Sequence, residues 1–543
     1  MLDQAMDALA EEIVRWYAQW NPVYGTYLGI HDYDHMLPDS SLSALKEEIR
    51  RTKEFKARLQ ALKPEELSPA KQIDRRTLLS AMDLSLFDEE VLHRSEMYPG
   101  APGEFGTSVM LLYQREFAPL PERLRCISSR FAAAPKYLGD ARERLTEPVK
   151  LWTTIGIESC SQLQGLLKMI EGIGRSALPP SDMESLSDSS AKASKALSDH
   201  EKWLREDALP KATDDIGIGA RNFDRLIKLR GLSLTADDIY SLGKKYLASA
   251  KMHLGTLAEQ IKPGSSVEDV KELVQSKHPK DFAEALSMTV KAMNEAKEFV
   301  ARKDIATFPP KEELKVIETP EYLRHVIPIA AYMPSAPFDA VQQGIYMVTP
   351  VQEDSKELKK HSYAKNWITA IHEGYPGHHL HNSCAAVNKS YARSYVWSIE
   401  TVEGWALYCE EMMPEYGFHN EPEVRFSQTL DLIWRACRVI IDVDLHRRKM
   451  TFDQAVDMLM KEAGLDKATA VSEVKRYTYT PGYPLSYLIG KHMIMELKQQ
   501  AKKELGPKYG DKLFHDTFLY AGLIPMALIK EVFEQKFREM KST

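Results

Sequence analysis

No run of this chain approaches the roughly 20 consecutive apolar residues that a membrane helix needs. Basic excess is missing too. Against 71 Lys and Arg stand 78 Asp and Glu, a formal net charge of −7. Local clusters such as Lys359-Lys360-His361 and Arg447-Arg448-Lys449 read as solvated helix faces, so a nucleic-acid partner is not expected. Cysteine is sparse. The five, at Cys126, Cys160, Cys384, Cys409 and Cys437, are odd in number and fit no zinc-knuckle spacing, which argues for free thiols in a reducing compartment. No basic-then-apolar leader opens the chain; Met1-Leu2-Asp3-Gln4 runs straight into an amphipathic, acidic helix. The expectation is a cytoplasmic location with no membrane or nucleic-acid partner. No repeat period is visible along the 543 residues, which disfavours a helical solenoid. Nothing in the pattern fixes an oligomeric state.

What is present is helical periodicity. Apolar residues recur at helical spacing over 1–20, 42–62, 68–93, 119–147, 150–173 and 187–205, with a Pro- and Gly-rich loop at 97–103. A turn and helix follow at 218–232, then helices at 235–262, 266–277 and 280–302. Near residue 304 the pattern changes. Strands are expected at 314–318, 330–333 and 344–350, the last being the clearest, with β-branched and aromatic residues bounded by Gly and Pro. Helices return at 361–385, 396–413, 421–449, 452–463, 467–477, 484–504 and 526–540. The expected fold is therefore mainly α with a small sheet. It divides into an N-terminal helical region, 1–303, and a region 304–543 holding the sheet (314–350), helices 361–413 and C-terminal helices 421–540, the two forming one integrated unit.

One segment concentrates the chemistry. Ile371-His372-Glu373-Gly374-Tyr375-Pro376-Gly377-His378-His379-Leu380-His381 holds four of the sixteen histidines. Glu403 follows in Thr401-Val402-Glu403-Gly404-Trp405-Ala406. Two imidazoles and a distant carboxylate suit a zinc ion and leave one position for water, and Glu373 beside the first imidazole can take a proton from that water. In the common His-Glu-x-x-His pattern the two histidines lie one helical turn apart, but here that position is Pro376. Gly374, Pro376 and Gly377 imply that the helix bulges and brings His378 to the second ligand position, with His379 as the alternative ligand. Glu400, one turn before Glu403, is expected to orient a ligand histidine. Tyr346, on the third strand, is placed with the substrate, because a sheet edge can pair with an extended peptide.

The segment His-Glu-Gly-Tyr-Pro-Gly-His-His and the later Glu-Thr-Val-Glu-Gly-Trp-Ala-Leu-Tyr resemble the family known as domain of unknown function 885. Asn21-Pro22-Val23-Tyr24-Gly25-Thr26-Tyr27-Leu28-Gly29-Ile30-His31-Asp32-Tyr33-Asp34 resembles its opening, Tyr483-Pro484-Leu485-Ser486-Tyr487-Leu488-Ile489-Gly490 its late motif, and Leu513-Phe514-His515-Asp516 with Gly522-Leu523-Ile524-Pro525 its close. That family is similar to gluzincin metallopeptidases of the thimet-oligopeptidase and angiotensin-converting-enzyme types. Glu403-Gly404-Trp405-Ala406 also resembles the segment that carries the third zinc ligand of aminopeptidases.

The resemblance implies a zincin-like fold with a deep cleft, one Zn²⁺ per chain held by His372, His378 and Glu403, and Glu373 as general base. It implies hydrolysis of short or unfolded peptides. Tyr487 matches the late motif and is the expected oxyanion donor, with Tyr483 and Tyr479 beside it. His446 matches a family histidine and is expected to donate to substrate. Arg476 is expected to steer a substrate carboxylate. A zinc amidase on a non-peptide or modified-peptide amide, or a non-catalytic peptide binder on a peptidase scaffold, are the other readings.

Overall fold

Apolar side chains at helical spacing dictate most of the structure. In the first helix, Leu2–Trp20, the buried residues Met6, Leu9, Ala10, Ile13 and Val14 form one inward stripe, leaving the charged residues to solvent. The computed structural model describes residues 2–319, 327, 330–351 and 358–542. Among these the fold is mainly α, with one three-stranded sheet. The chain forms two compact units. The first comprises Met1–Ile216, Ala336–Val341 and Ser390–Tyr395; the second comprises Gly217–Ser335, Gln342–Lys389 and Val396–Thr543. The change of sequence pattern near residue 304 marks the entry to the sheet inside the second unit, where helices Ala236–Ile261 and Phe282–Arg302 precede it.

The first unit is held by a core that includes Phe105, Ile127, Phe131, Leu167, Ile170 and Leu197. Each such side chain contributes on the order of 2 kcal/mol by leaving water. Proline occupies the first turn of several helices, at Pro22, Pro69, Pro102 and Pro180, where its missing N–H and fixed φ cost nothing. That placement accounts for three departures from the sequence reading. The loop expected through residue 103 gives way at once to a helix, Ala101–Gln114. The helix expected from 187 begins at Pro180. A short helix, Pro22–Leu28, is capped by the Asn21 side chain accepting from the Tyr24 N–H and ends at Gly29 with φ of 85°, a conformation that favours glycine.

In the second unit, three helices start on capping boxes, Thr235 with Asp238, Ser266 with Asp269, and Thr451 with Gln454. In each, hydroxyl and acid or amide satisfy one another's backbone N–H groups. The strands are β1 (Glu313–Glu318), β2 (Ala330–Met333) and β3 (Gln343–Val348), within a residue or two of the expected segments. β3 is central, parallel to β1 and antiparallel to β2. Tyr346 and Val348 of β3 pack on Ala292 and Met293 of helix Phe282–Arg302 and on Ala370, just ahead of the histidine cluster. The sheet thus backs the segment that carries His372.

Candidate metal centre

The helix that begins at Tyr363 does not run through the histidine cluster. Its α-helical part, Tyr363–Thr369, widens into a π turn over Ala370–Gly374, the Tyr375–Pro376 peptide is cis, and a new helix spans His378–Val387. The Tyr375 N–H donates to Ala370 O at 3.0 Å and the Gly377 N–H to Ile371 O at 3.0 Å. A Cβ at Gly377 would overlap the carbonyl oxygens of Ile371 and His372, so the chain can fold back this tightly only with glycine there. The return brings the ring of His378 to 4.7 Å from that of His372, centroid to centroid, at 89°. This is the bulge that Gly374, Pro376 and Gly377 imply.

Glu403 arrives on the helix Ile399–Glu415. The next residues fix that helix. The Trp405 indole N–H donates to Pro376 O at 2.7 Å, tying it to the loop between the two histidines. Gly404 meets Gly490 so closely that a Cβ there would lie 2.6 Å from Gly490 Cα. The helices Ile399–Glu415 and Tyr483–Leu505 therefore cross backbone to backbone, which sets Tyr483 and Tyr487 beside Glu403. The Tyr483 hydroxyl donates to Glu403 Oε1 at 3.0 Å.

His372, His378 and Glu403 offer ligand atoms that all lie within 4.8 Å of one another. Glu403 Oε2 is 3.3 Å from His378 Nε2 and 3.8 Å from His372 Nε2, and it is buried with no hydrogen-bond partner among the described residues. His372 donates from Nδ1 to Glu410 Oε1 at 2.7 Å, which leaves the lone pair on the Nε2 that faces Glu403. Burial would raise the pKa of Glu403, yet the nearby His378 and His372 hold it down at about 2. Burial likewise disfavours charge on His378, and Glu403, Glu373 and Glu410 outweigh it, raising its pKa. Two imidazole nitrogens and a carboxylate oxygen thus converge in a strongly negative environment. Such a donor set could hold one divalent ion with a position left open.

The remaining residues of the sequence reading fall in different places. Glu373 is half-buried and near enough to act electrostatically on His378 and Tyr346. Tyr346 lies on the central strand, not an edge, and is 4% exposed. His379 is not a member of the cluster. Its Nε2 meets Glu312 at 2.6 Å and its Nδ1 meets the Tyr332 hydroxyl at 3.2 Å, so the ring is turned toward the sheet. Glu400 does not orient a ligand; it pairs with Arg230 at 2.8 Å, and the carboxylate on His372 is Glu410, two helical turns beyond Glu403. His446 lies away from His372, His378 and Glu403, committed to neighbours of its own. It is fully buried, with Nε2 at 3.0 Å from Tyr477 O and its ring stacked on Phe223.

Tyr487 lies one turn after Tyr483, ring centroids 6.0 Å apart, with the Arg438 guanidinium 4.8 Å from its ring. Arg476 sits 5.5 Å from the Tyr483 ring and donates to Glu473 at 2.8 Å. Cys384 is buried and its thiol is pushed up to about 12 by burial, which makes it inert. Glu410 and Glu312 were missing from the sequence reading. Glu410 had a usable signal, since a seven-residue offset from Glu403 keeps it on one helix face. Glu312 had none, being joined to His379 only by the tertiary fold.

Fold and cluster together define a mainly α protein with a converging cluster of two histidines and one glutamate. The chain belongs to the family described as bacterial protein of unknown function (DUF885), which it matches over residues 22–532. Among solved structures it is similar to a "putative lipoprotein of unknown function" from Shewanella oneidensis, 23% identical, covering 97% of this chain and 99% of that one, with a TM-score of 0.80. It is also similar to a "putative lipoprotein" from Colwellia psychrerythraea, 19% identical, covering 99% of this chain and 100% of that one, with a TM-score of 0.86. At these identities the likeness is one of fold. No curated protein matches the chain. The expectation of a cytoplasmic location is contradicted by these similar structures, both described as putative lipoproteins. Unpaired cysteines and an acidic first helix specify no compartment.

Proposed function

We propose that this chain is a zinc-dependent peptidase acting on short or unfolded peptides. The observation that carries the reading is the convergence of His372, His378 and Glu403 within 4.8 Å, with Glu373 adjacent in sequence to the first of them. The donor chemistry fits zinc, and a buried Glu403 Oε2 without a hydrogen-bond partner, facing two imidazole Nε2 atoms, is an arrangement that a cation completes. Bound there, zinc would polarise a carbonyl and bring the pKa of a water toward neutrality. The gluzincin resemblance of the two motifs supports the same reading, with the wider His372–His378 spacing absorbed by the π turn and loop.

Glu373 is the general base. Its carboxylate takes a proton from the attacking water and returns it to the amine nitrogen as the C–N bond breaks. Tyr487 donates to the carbonyl oxygen as negative charge builds there. Burial and the charge of Glu403 raise its pKa well above the usual value despite the nearby Arg438, so it keeps its proton at neutral pH. The Tyr483 hydroxyl is already committed to Glu403 and positions that ligand. Arg438 and Arg476 share one carboxylate, Glu473, at 3.0 and 2.8 Å. The surplus positive charge beside Tyr483 and Tyr487 suits a substrate carboxylate.

The test is a digest of a mixed short-peptide library by zinc-loaded protein, read by mass spectrometry beside Glu373→Gln. New peptide termini are expected from the wild type, with the rate lower by roughly 10²–10⁴-fold in the variant at unchanged zinc content. Tight peptide binding without turnover would make the protein a binder, and turnover of non-peptide amides alone would make it an amidase.

A further inference from the structure

The first unit contains a cavity of about 250 Å³ built wholly from its own residues. Three helices each bring a glutamate to its wall, Glu48 from Leu42–Ala61, Glu89 from Pro69–Glu90 and Glu104 from Ala101–Gln114. Among the described residues none of the three pairs with a lysine or arginine. Glu48 accepts from the Trp20 indole N–H at 3.2 Å and Glu104 from the Tyr137 hydroxyl at 2.9 Å. Glu89 Oε2 is buried with no hydrogen-bond partner among the described residues. Arg144 also lines the cavity, but its guanidinium donates to the backbone carbonyls of Ser41 at 3.1 Å and Asp39 at 2.9 Å. The Asp39 carboxylate in turn accepts from the Ser41 N–H at 2.9 Å.

Burial, with the charges of Glu89 and Glu104, raises the pKa of Glu48 against the Trp20 bond and the charge of Arg144. A second, independent feature points the same way. His200 is 2% exposed and lines this cavity, and its Nδ1 has no hydrogen-bond partner among the described residues. Burial and the nearby Arg142 depress its pKa to about 4, while the ring bonds to the backbone of Leu138. The imidazole is therefore neutral, donating through Nε2 and leaving the Nδ1 lone pair to accept. Tyr17, Tyr98 and Trp203 complete an aromatic wall.

We infer that this cavity binds a small organic cation bearing a primary ammonium group. A bare metal ion does not suit it, because among the described residues only the His372 group brings three ligand atoms within 4.8 Å of one another. Carboxylates spread around a cavity are bridged by a molecule instead. Aromatic faces attract an ammonium through their quadrupole. A primary amine is preferred to a quaternary one because Glu89 Oε2 and His200 Nδ1 require N–H donors. Several non-hydrogen atoms fit in the volume, each water-sized unit taking about 30 Å³.

Calorimetric titration of the full chain with 1-butylamine, 1-butanol and tetramethylammonium, at one neutral pH and ionic strength, tests the inference. Butylammonium is expected to bind at least about tenfold more tightly than the alcohol or the quaternary ion, and Glu89→Gln to weaken it by about tenfold. Equal binding of amine and alcohol, or no binding of the amine, would overturn the inference. Equal binding of tetramethylammonium would overturn the assignment of a primary amine. If Glu89→Gln fails to fold, the wild-type series alone decides. None of these readings depends on zinc or on peptide cleavage.

Discussion

The second unit pairs the charges it buries around His372, His378 and Glu403, whereas the first leaves three glutamates facing a cavity with no lysine or arginine partner among the described residues. In the second unit, Glu410 takes His372, Glu312 takes His379, Tyr375 and Lys297, and Glu473 takes Arg438, Arg476 and Tyr477. Paired charge of this kind adds little stability over apolar packing, but removing one partner is costly. Against that background Glu403 Oε2 and Glu89 Oε2 stand out, each buried with no hydrogen-bond partner among the described residues. Glu403 Oε2 and the facing imidazoles close to the spacing of a single ion. Glu48, Glu89 and Glu104 surround a volume of molecular size. The difference teaches that the spacing of acceptors, more than their number, tells which kind of cation a fold can take.

The comparison is broken most directly at Glu410. Glu410→Ala is expected to weaken zinc binding by roughly 10–100-fold, read by competition with a chelator. Glu400→Ala, which removes a carboxylate one turn before Glu403 but held by Arg230, is expected to leave zinc affinity near that of the wild type. Equal losses in both would mean that helix-face charge, not the His372 bond, is what matters.

A smaller effect sharpens the other side, because the first unit does pair some charge. His31 lies between Asp34 and Asp339, each at 2.8 Å. Burial lowers its pKa, but the bonds to Asp339 and Asp34 outweigh it and carry the value from 6.5 to about 9. The folded chain then holds this proton more tightly than the unfolded chain. Its stabilisation is present in full below about pH 6.5 and is lost as pH rises through about 9. The thermal midpoint of His31→Gln is expected to fall below that of the wild type near neutral pH, with the gap closing above about pH 9. A gap independent of pH would assign His31 to packing on Phe117, whose ring lies 3.7 Å away.

The cluster of His372, His378 and Glu403 was legible in sequence because its signals are local. His372 and Glu373 are adjacent, Pro376 and Gly377 announce the break, and Glu403 sits in a distinctive Glu-Gly-Trp-Ala segment. The three strands were legible from β-branched and aromatic residues bounded by Gly and Pro. What failed to show was tertiary. His378 and His379 are neighbours in sequence, and only the approach of β3, where a Cβ on Gly344 would strike the His379 ring, sets which one turns toward Glu403. Glu400 looked like a partner for histidine because Arg230, far away in the chain, is invisible to local reasoning. His446 carries ligand-type chemistry, but its burial follows from Phe223 and Tyr477, which only the packed helices bring to it. The cavity of the first unit assembles from helices well separated in sequence, and no local pattern points to it.

Elemental analysis of the purified chain after incubation with zinc, beside His372→Ala and Glu373→Ala, tests the central claim most directly. About one zinc per chain in the wild type and in Glu373→Ala, lost in His372→Ala, is the expected result. Wild-type protein that stays free of metal after incubation with zinc would contradict it.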